Sequence, residues 1–291
     1  MTRLAYYPGC TLETTAREYD VSARIASREI GLELVELEGW TCCGASSGHA
    51  TQYELSLALP ARNLRLAVEQ GFSALVAPCA MCYARMRHTV HDLRDPALRA
   101  RVNALLDAPW EGDVQVHSLV DLFSQEENLA LLREKRQRDL SGLRLVAYYG
   151  CLLVRPPEVL SPDDPEYPTM LDRILQAAGA TLVDWPLKTE CCGGSISLSR
   201  TDIALELTRK LLEGAIRRGA NGLVTACPMC HANLDMRQGQ INRRYGTDFH
   251  LPIFYFTQIV GLATGHGVKE LLLDRHLTDP RPLLAEAGIR S

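Results

Sequence analysis

Ten cysteines in this 291-residue chain fall into two matching sets of five, and no cysteine is left over. The first set is Cys10, adjacent Cys42 and Cys43, then Cys79 and Cys82; the second is Cys151, adjacent Cys191 and Cys192, then Cys227 and Cys230. The spacings read C-x31-CC-x35-C-x2-C and C-x39-CC-x34-C-x2-C. A tetrahedral ion takes four ligands. Five soft thiolates per copy therefore point to something larger than one metal ion, bound twice.

The repeat extends beyond the cysteines. Leu4–Cys10 (LAYYPGC) matches Leu145–Cys151 (LVAYYGC), Trp40–Gly44 matches Glu190–Gly194, and Ala74–Cys82 matches Gly222–Cys230. The offset is 141 residues at the first cysteine, 149 at the pair and 148 at the last two, so one insertion, Arg155 to Pro168, accounts for nearly all the slack. The pattern is a duplicated domain. A solenoid would repeat every 20–50 residues or so.

Within each copy, short apolar runs alternate with helical stretches. In the first copy, Leu4–Tyr7, Leu32–Leu37 and Ala74–Ala77 read as strands. Thr14–Ile30, Tyr53–Gln70 and Met81–Leu93 read as helices, with Gly31 and Gly71 as stops. The second copy repeats this with strands Arg144–Tyr149, Thr181–Asp184 and Leu223–Ala226. Its helices are Tyr167–Ala178 and Asp202–Arg218, before Gly179 and Gly219. A strand–helix unit closes each copy, at Val114–Phe123 and Pro252–Ala263. The expectation is an α/β protein of two duplicated domains, each a small, mainly parallel sheet flanked by helices, related by pseudo-two-fold symmetry.

The boundaries expected are 1–124 and 143–266 for the two domains, 125–142 for a partly helical linker, and 267–291 for a tail. In the tail, Val268–Leu273 reads as a helix followed by Pro-rich coil. Sites in parallel sheets lie at the carboxyl ends of the strands. Cys10, Cys79, Cys151 and Cys227 each follow a predicted strand, so all five sulfurs of a copy are expected on one sheet edge.

A net charge of −4 gives no global field to attract nucleic acid. The charged run Arg133–Arg138 is short and mixed in sign, a solvated face. No signal peptide is expected, and the longest apolar stretch, Leu251–Ala263, is too short for a span of about 20 residues. The expected location is cytoplasmic, where thiols stay reduced and cysteines bind metal or do redox work. Structural disulfides, zinc and inert buried thiols are the competing readings. Zinc sites commonly close with four ligands, and adjacent cysteines suit one ion poorly. No P-loop or G-x-G-x-x-G is present, so no nucleotide or flavin site is expected and electrons must come from a partner.

The paired motif resembles the cysteine-rich CCG domain of the heterodisulfide reductase B subunit over residues 1 to about 265. Tyr6–Cys10 and Thr41–His49 look like bacterial members. The resemblance implies that each set of five holds a noncubane [4Fe-4S] cluster. One would sit on Cys10, Cys42, Cys43, Cys79 and Cys82, the other on Cys151, Cys191, Cys192, Cys227 and Cys230. It implies a disulfide split between the clusters, electrons from an iron–sulfur protein like the C subunit of that family's complexes, and a flavoprotein like their A subunit. The substrate is then a small disulfide or thiol. Alternatives are a sulfur-oxidation subunit that acts on a carrier-bound thiol or persulfide, and a non-catalytic electron-transfer subunit.

Other residues near the cysteines carry expectations of their own. His49 and His231 are candidate proton donors to a leaving thiolate, or packed structural histidines. Lys188 offsets cluster charge, holds an anionic substrate, or is a plain surface lysine. Trp40 and Trp185 shield the site or pack the core, and Met81 and Met229 read as packing residues. Gly44, Gly193 and Gly194 let backbone N–H groups approach a cluster.

Overall fold

Two four-stranded parallel sheets form the frame of the computed structural model, which describes residues 1–45, 52–112 and 114–289. The first contains β1 (Thr2–Tyr6), β2 (Leu32–Glu36), β3 (Ala74–Ala77) and β4 (Gln115–Ser118), in the order β2-β1-β3-β4. The second contains β5 (Leu140–Tyr148), β6 (Ala180–Leu182), β7 (Gly222–Thr225) and β8 (Ile253–Tyr255), in the equivalent order β6-β5-β7-β8. Every pairing is parallel. Helices on the sheet faces bury the central strands, so Leu75–Ala77 and Leu223–Thr225 are continuous apolar or neutral runs and fully buried. Strand order reverses between β1 and β3, and again between β5 and β7. Crevices outside the carboxyl ends open at such switch points.

The expected strands and main helices are present, with shifted ends. The first long helix is Arg17–Glu29, and a separate turn of helix, Gly9–Glu13, carries Cys10. Strand β5 begins at Leu140, earlier than the sequence pattern suggests. Leu140 is fully buried and pairs with Ala180 across a register irregularity. Helix Glu126–Lys135 supplies the expected helical part of the connection. The tail departs from expectation. Val268–Leu273 forms turns, not a helix, because Val268, Leu271 and Leu273 all bury and Leu272 takes a left-handed φ of 52°. The tail helix is instead Arg281–Glu286, where Pro282 sits in the first turn and needs no donor.

The halves pack reciprocally. Helix Phe256–Ala263, after β8, lies along helix Arg17–Glu29 of the first half, and helix Leu119–Phe123, after β4, meets helix Met170–Ala177 of the second. Such mutual contacts are the signature of a two-fold relation. Phe123 and Phe256 meet edge to face at 5.3 Å, and the Ser22 and Thr257 hydroxyls share a 2.7 Å hydrogen bond. The insertion expected at 155–168 is more than a loop. Its short helix Pro157–Leu160 docks on the first half, where Arg87 donates to Val159 O and Tyr83 to Leu160 O. Among the described residues no helix is long and apolar enough to cross a membrane.

Candidate metal centres

Each half delivers its cysteines from the carboxyl edge of its sheet. Cys10 and Cys151 follow β1 and β5; Cys79 and Cys227 cap the helices Ala80–Asp92 and Pro228–Met236 that follow β3 and β7. The adjacent pairs come from the segments after β2 and β6. Cys43 Sγ lies 3.3 Å from Cys82 Sγ, and Cys192 Sγ lies 3.4 Å from Cys230 Sγ, the same contact in both halves. Cys43, Cys79, Cys82, Cys192, Cys227 and Cys230 are buried, while Cys10, Cys42 and Cys191 are exposed and Cys151 is half-buried.

The sulfurs act on one another. Hydrogen bonds from Cys42 and then Cys82 hold the Cys43 thiol down, and that sharing pushes Cys42 and Cys82 up. In the second half Cys151 is pushed up and Cys191 held down by the bond between them. Cys230 is raised by its bonds to Cys192 and Cys227. Across the seam, the neighbouring Cys227 thiol raises Cys79. The closest sulfur pairs, Cys43 with Cys82 and Cys192 with Cys230, thus occupy equivalent places in the two halves.

The surroundings of the sulfurs repeat as well. Gly44 N–H donates to Cys42 Sγ at 3.4 Å and Gly193 N–H to Cys191 Sγ at 3.3 Å. The N–H groups meet cysteine sulfur, a contact that tunes a metal-bound thiolate. Tyr7 Oη donates to Thr41 O and Tyr148 Oη to Glu190 O, each the carbonyl just before a cysteine pair. Trp40 and Trp185 stand edge-on to these same two tyrosines. Trp185 is fully buried, while Trp40 is partly exposed. Met81 and Met229 pack against the core from its edge.

Tyr19 has no partner in the sequence repeat. Its hydroxyl lies 3.1 Å from both Pro78 O and Ala226 O, the carbonyls preceding Cys79 and Cys227. Its ring stacks on Tyr255 at 4.1 Å, and Tyr255 stacks on His231 at 4.2 Å. His231 is buried, its Nε2 faces Ile253 O at 3.1 Å, and burial pushes it well below the usual imidazole range. That placement braces the seam and favours the packed reading over proton donation. His49 lies outside the described residues. Lys188 is neither a surface lysine nor a free cation. It is buried, with Nζ 2.6 Å from Asp172 Oδ1 and 3.1 Å from Pro168 O.

The cradles fit an iron–sulfur group. All ten donors are soft sulfur. An ideal Cβ on Gly9 would sit 3.1 Å from Cys82 Sγ, and one on Gly150 would sit 3.2 Å from Cys230 Sγ, with φ of +72° and +66°. Both positions therefore keep the sulfur of the C-x2-C motif clear of a side chain. Several thiolates packed this closely repel unless a cationic core lies among them. Among the described residues no three His, Cys, Asp or Glu side chains are arranged to chelate one ion. Five soft sulfur donors in each half suit a polynuclear group better than a mononuclear one.

Paired parallel sheets that bring ten thiols to their carboxyl edges define a duplicated, cysteine-rich α/β protein. The cysteine-rich domain family CCG matches twice, over residues 4–87 and 145–235. The chain belongs to this family, in the duplicated form of the heterodisulfide reductase B subunit. It is 30% identical over 282 residues to the 8-methylmenaquinol:fumarate reductase membrane anchor subunit of Wolinella succinogenes, covering 96% of this chain and 98% of that one. It is 26% identical over 293 residues to the B subunit of the ferredoxin:CoB-CoM heterodisulfide reductase of Methanosarcina mazei, covering 98% and 97%. A crystal structure of a hypothetical protein from Helicobacter pylori shares the fold, with a TM-score of 0.76 at 15% identity over 96% of this chain. The chain spans about half, 52%, of that solved chain. An iron–sulfur subunit of oxidoreductase type is the class this membership supports.

Proposed function

We propose that the chain is the catalytic, B-type component of a heterodisulfide reductase-like complex. It reduces a disulfide, or a related thiol/disulfide substrate, between two noncubane [4Fe-4S] clusters held by the two sets of five cysteines. The observation that carries this reading is the Tyr19 hydroxyl, 3.1 Å from both Pro78 O and Ala226 O, which draws the segments bearing Cys79 and Cys227 together across the seam. Splitting a disulfide takes two electrons and two protons and yields two thiols. A cluster in each half supplies one-electron chemistry on either side of the bond. The chain itself orients the ligands: Tyr7, Tyr148 and Tyr19 fix the carbonyls before the cysteines, and the buried aromatic stack closes the seam to water.

An iron–sulfur partner of the C type delivers the electrons, and a flavoprotein of the A type completes the assembly. The division into domains 1–124 and 143–266 with a connection at 125–142, and a cytoplasmic location, belong to the same proposal. A second reading is electron wiring alone. What favours a non-catalytic role is the 30% identity to a protein named as the membrane anchor subunit of its reductase.

Paramagnetic resonance of the anaerobic protein separates the two. After chemical oxidation, addition of a simple alkylthiol is expected to change the cluster signals, because substrate sulfur reaches the centres. Signals that stay unchanged in excess thiol sink the catalytic reading and leave the wiring one.

A further inference from the structure

The two cradles are built alike but charged differently. Helix Ala80–Asp92 carries Arg85 one turn beyond Cys82, and helix Pro228–Met236 carries Asn233 one turn beyond Cys230. Residues three apart share a helix face, so each lies on the face that carries the last cysteine of its own half. Asn233 shows the geometry directly: its Nδ2 donates to Cys192 O at 3.0 Å. At the matching place Arg85 donates to Ser56 O at 3.2 Å, and its buried Nε has no hydrogen-bond partner. Among the described residues, Arg85 makes no ion pair.

A second difference runs the same way. The residue before the cysteine pair is Thr41 in the first half and Glu190 in the second, and both carbonyls receive the equivalent tyrosine hydroxyl. A neutral residue with a cation thus faces an anion with a neutral amide. Of the other charges near the cysteines, Arg155 of the second half, with Nη2 3.3 Å from Thr189 Oγ1, is neutralised by Glu166 at 2.7 Å. Lys188 is spent on Asp172. Arg237 of the second half is held on Asn233 Oδ1 and Ser197 O, both at 2.9 Å. On the first half, Glu36 is paired with Arg24 at 2.6 Å, and Glu38 is exposed and screened by salt.

We propose that the two centres are electrostatically unequal, with the one in the N-terminal half the more readily reduced because Arg85 stands beside it and Glu190 stands beside the other. This rests on the reading that each half holds an iron–sulfur cluster. A reduced cluster carries one more negative charge than an oxidised one, so a nearby cation favours reduction and a nearby anion opposes it. One electron from an external one-electron donor then settles in the N-terminal half, and the C-terminal centre fills second. Arg85 acts here as a tuning residue.

The experiment is a redox titration of the anaerobic full-length protein with dithionite, followed by paramagnetic resonance, with iron measured on every sample. Wild type is expected to show two unequal midpoints. Arg85→Gln lowers the higher one by tenfold or more in equilibrium constant, about 59 mV for a one-electron couple. Arg85→Lys, which keeps the charge, holds it near wild type. Glu190→Gln, an exposed substitution that spares the fold, raises the lower midpoint. Equal midpoints in iron-loaded wild type overturn the proposal, as does an Arg85→Gln variant that moves neither midpoint or both alike. Wild type without iron refutes the underlying cluster reading instead.

Discussion

Cys82→Ser removes about half the iron from anaerobically purified protein, and Cys82→Ser combined with Cys230→Ser removes nearly all of it. The expectation follows from where Cys82 sits. It occupies the first turn of helix Ala80–Asp92, touches Cys43 at 3.3 Å, and is flanked by Gly9, whose missing side chain leaves it room. Serine keeps the volume nearly constant but offers a hard, protonated oxygen in place of a soft thiolate. The helix has no reason to unfold, because its other buried residues, Tyr83, Ala84 and Met86, still pack. Each half has its own sheet, so damage stays local. Iron analysis with circular dichroism checks this. Full iron retention by Cys82→Ser contradicts the ligand assignment, and total loss contradicts independent centres.

Lys188→Met destabilises the protein by about 3–5 kcal/mol, the range for leaving one member of a buried ion pair alone. The side chains of Lys188 and Asp172 are 4% and 9% exposed, so neither has bulk solvent to fall back on. Asp172 Oδ2 also accepts the Tyr149 hydroxyl at 2.5 Å, and that hydroxyl accepts Leu171 N–H at 2.8 Å. The Lys188 carbonyl accepts Tyr149 N–H and Gly150 N–H, tying this corner to the segment that bears Cys151. An apolar replacement of both partners, Lys188→Met with Asp172→Leu, recovers most of the loss, since no unpaired charge remains. Anaerobic urea unfolding of the three proteins measures it. A loss below about 1 kcal/mol for the single variant places the pair with exposed ion pairs and contradicts its burial.

The cysteine plan is legible in the sequence because thiol spacing is a local signal and occurs twice. The order of strands and helices is legible too, because central parallel strands such as Ala74–Ala77 are short apolar runs and the helices end at glycines. The tail is not. Val268–Leu273 has a helix-like composition, and only burial of Val268, Leu271 and Leu273 against the second half decides for turns. The burial of Lys188 is hidden from local pattern because its partner Asp172 lies 16 residues away, across a fold contact. Tyr19 gives no signal, since its hydroxyl serves both halves and has no repeated counterpart. The tyrosines Tyr7 and Tyr148 are visible in the repeat, but their role needs the positions of Thr41 O and Glu190 O. Arg85 and Asn233 become informative only when the copies are aligned at the C-x2-C offset of 148 residues and then placed on the helix faces that carry the last cysteines.

Metal and acid-labile sulfide analysis of protein isolated without oxygen tests the central claim most directly. Two four-iron centres predict about eight iron and about eight sulfide per chain, with paramagnetic signals from both halves. Stoichiometric zinc without labile sulfide contradicts the account.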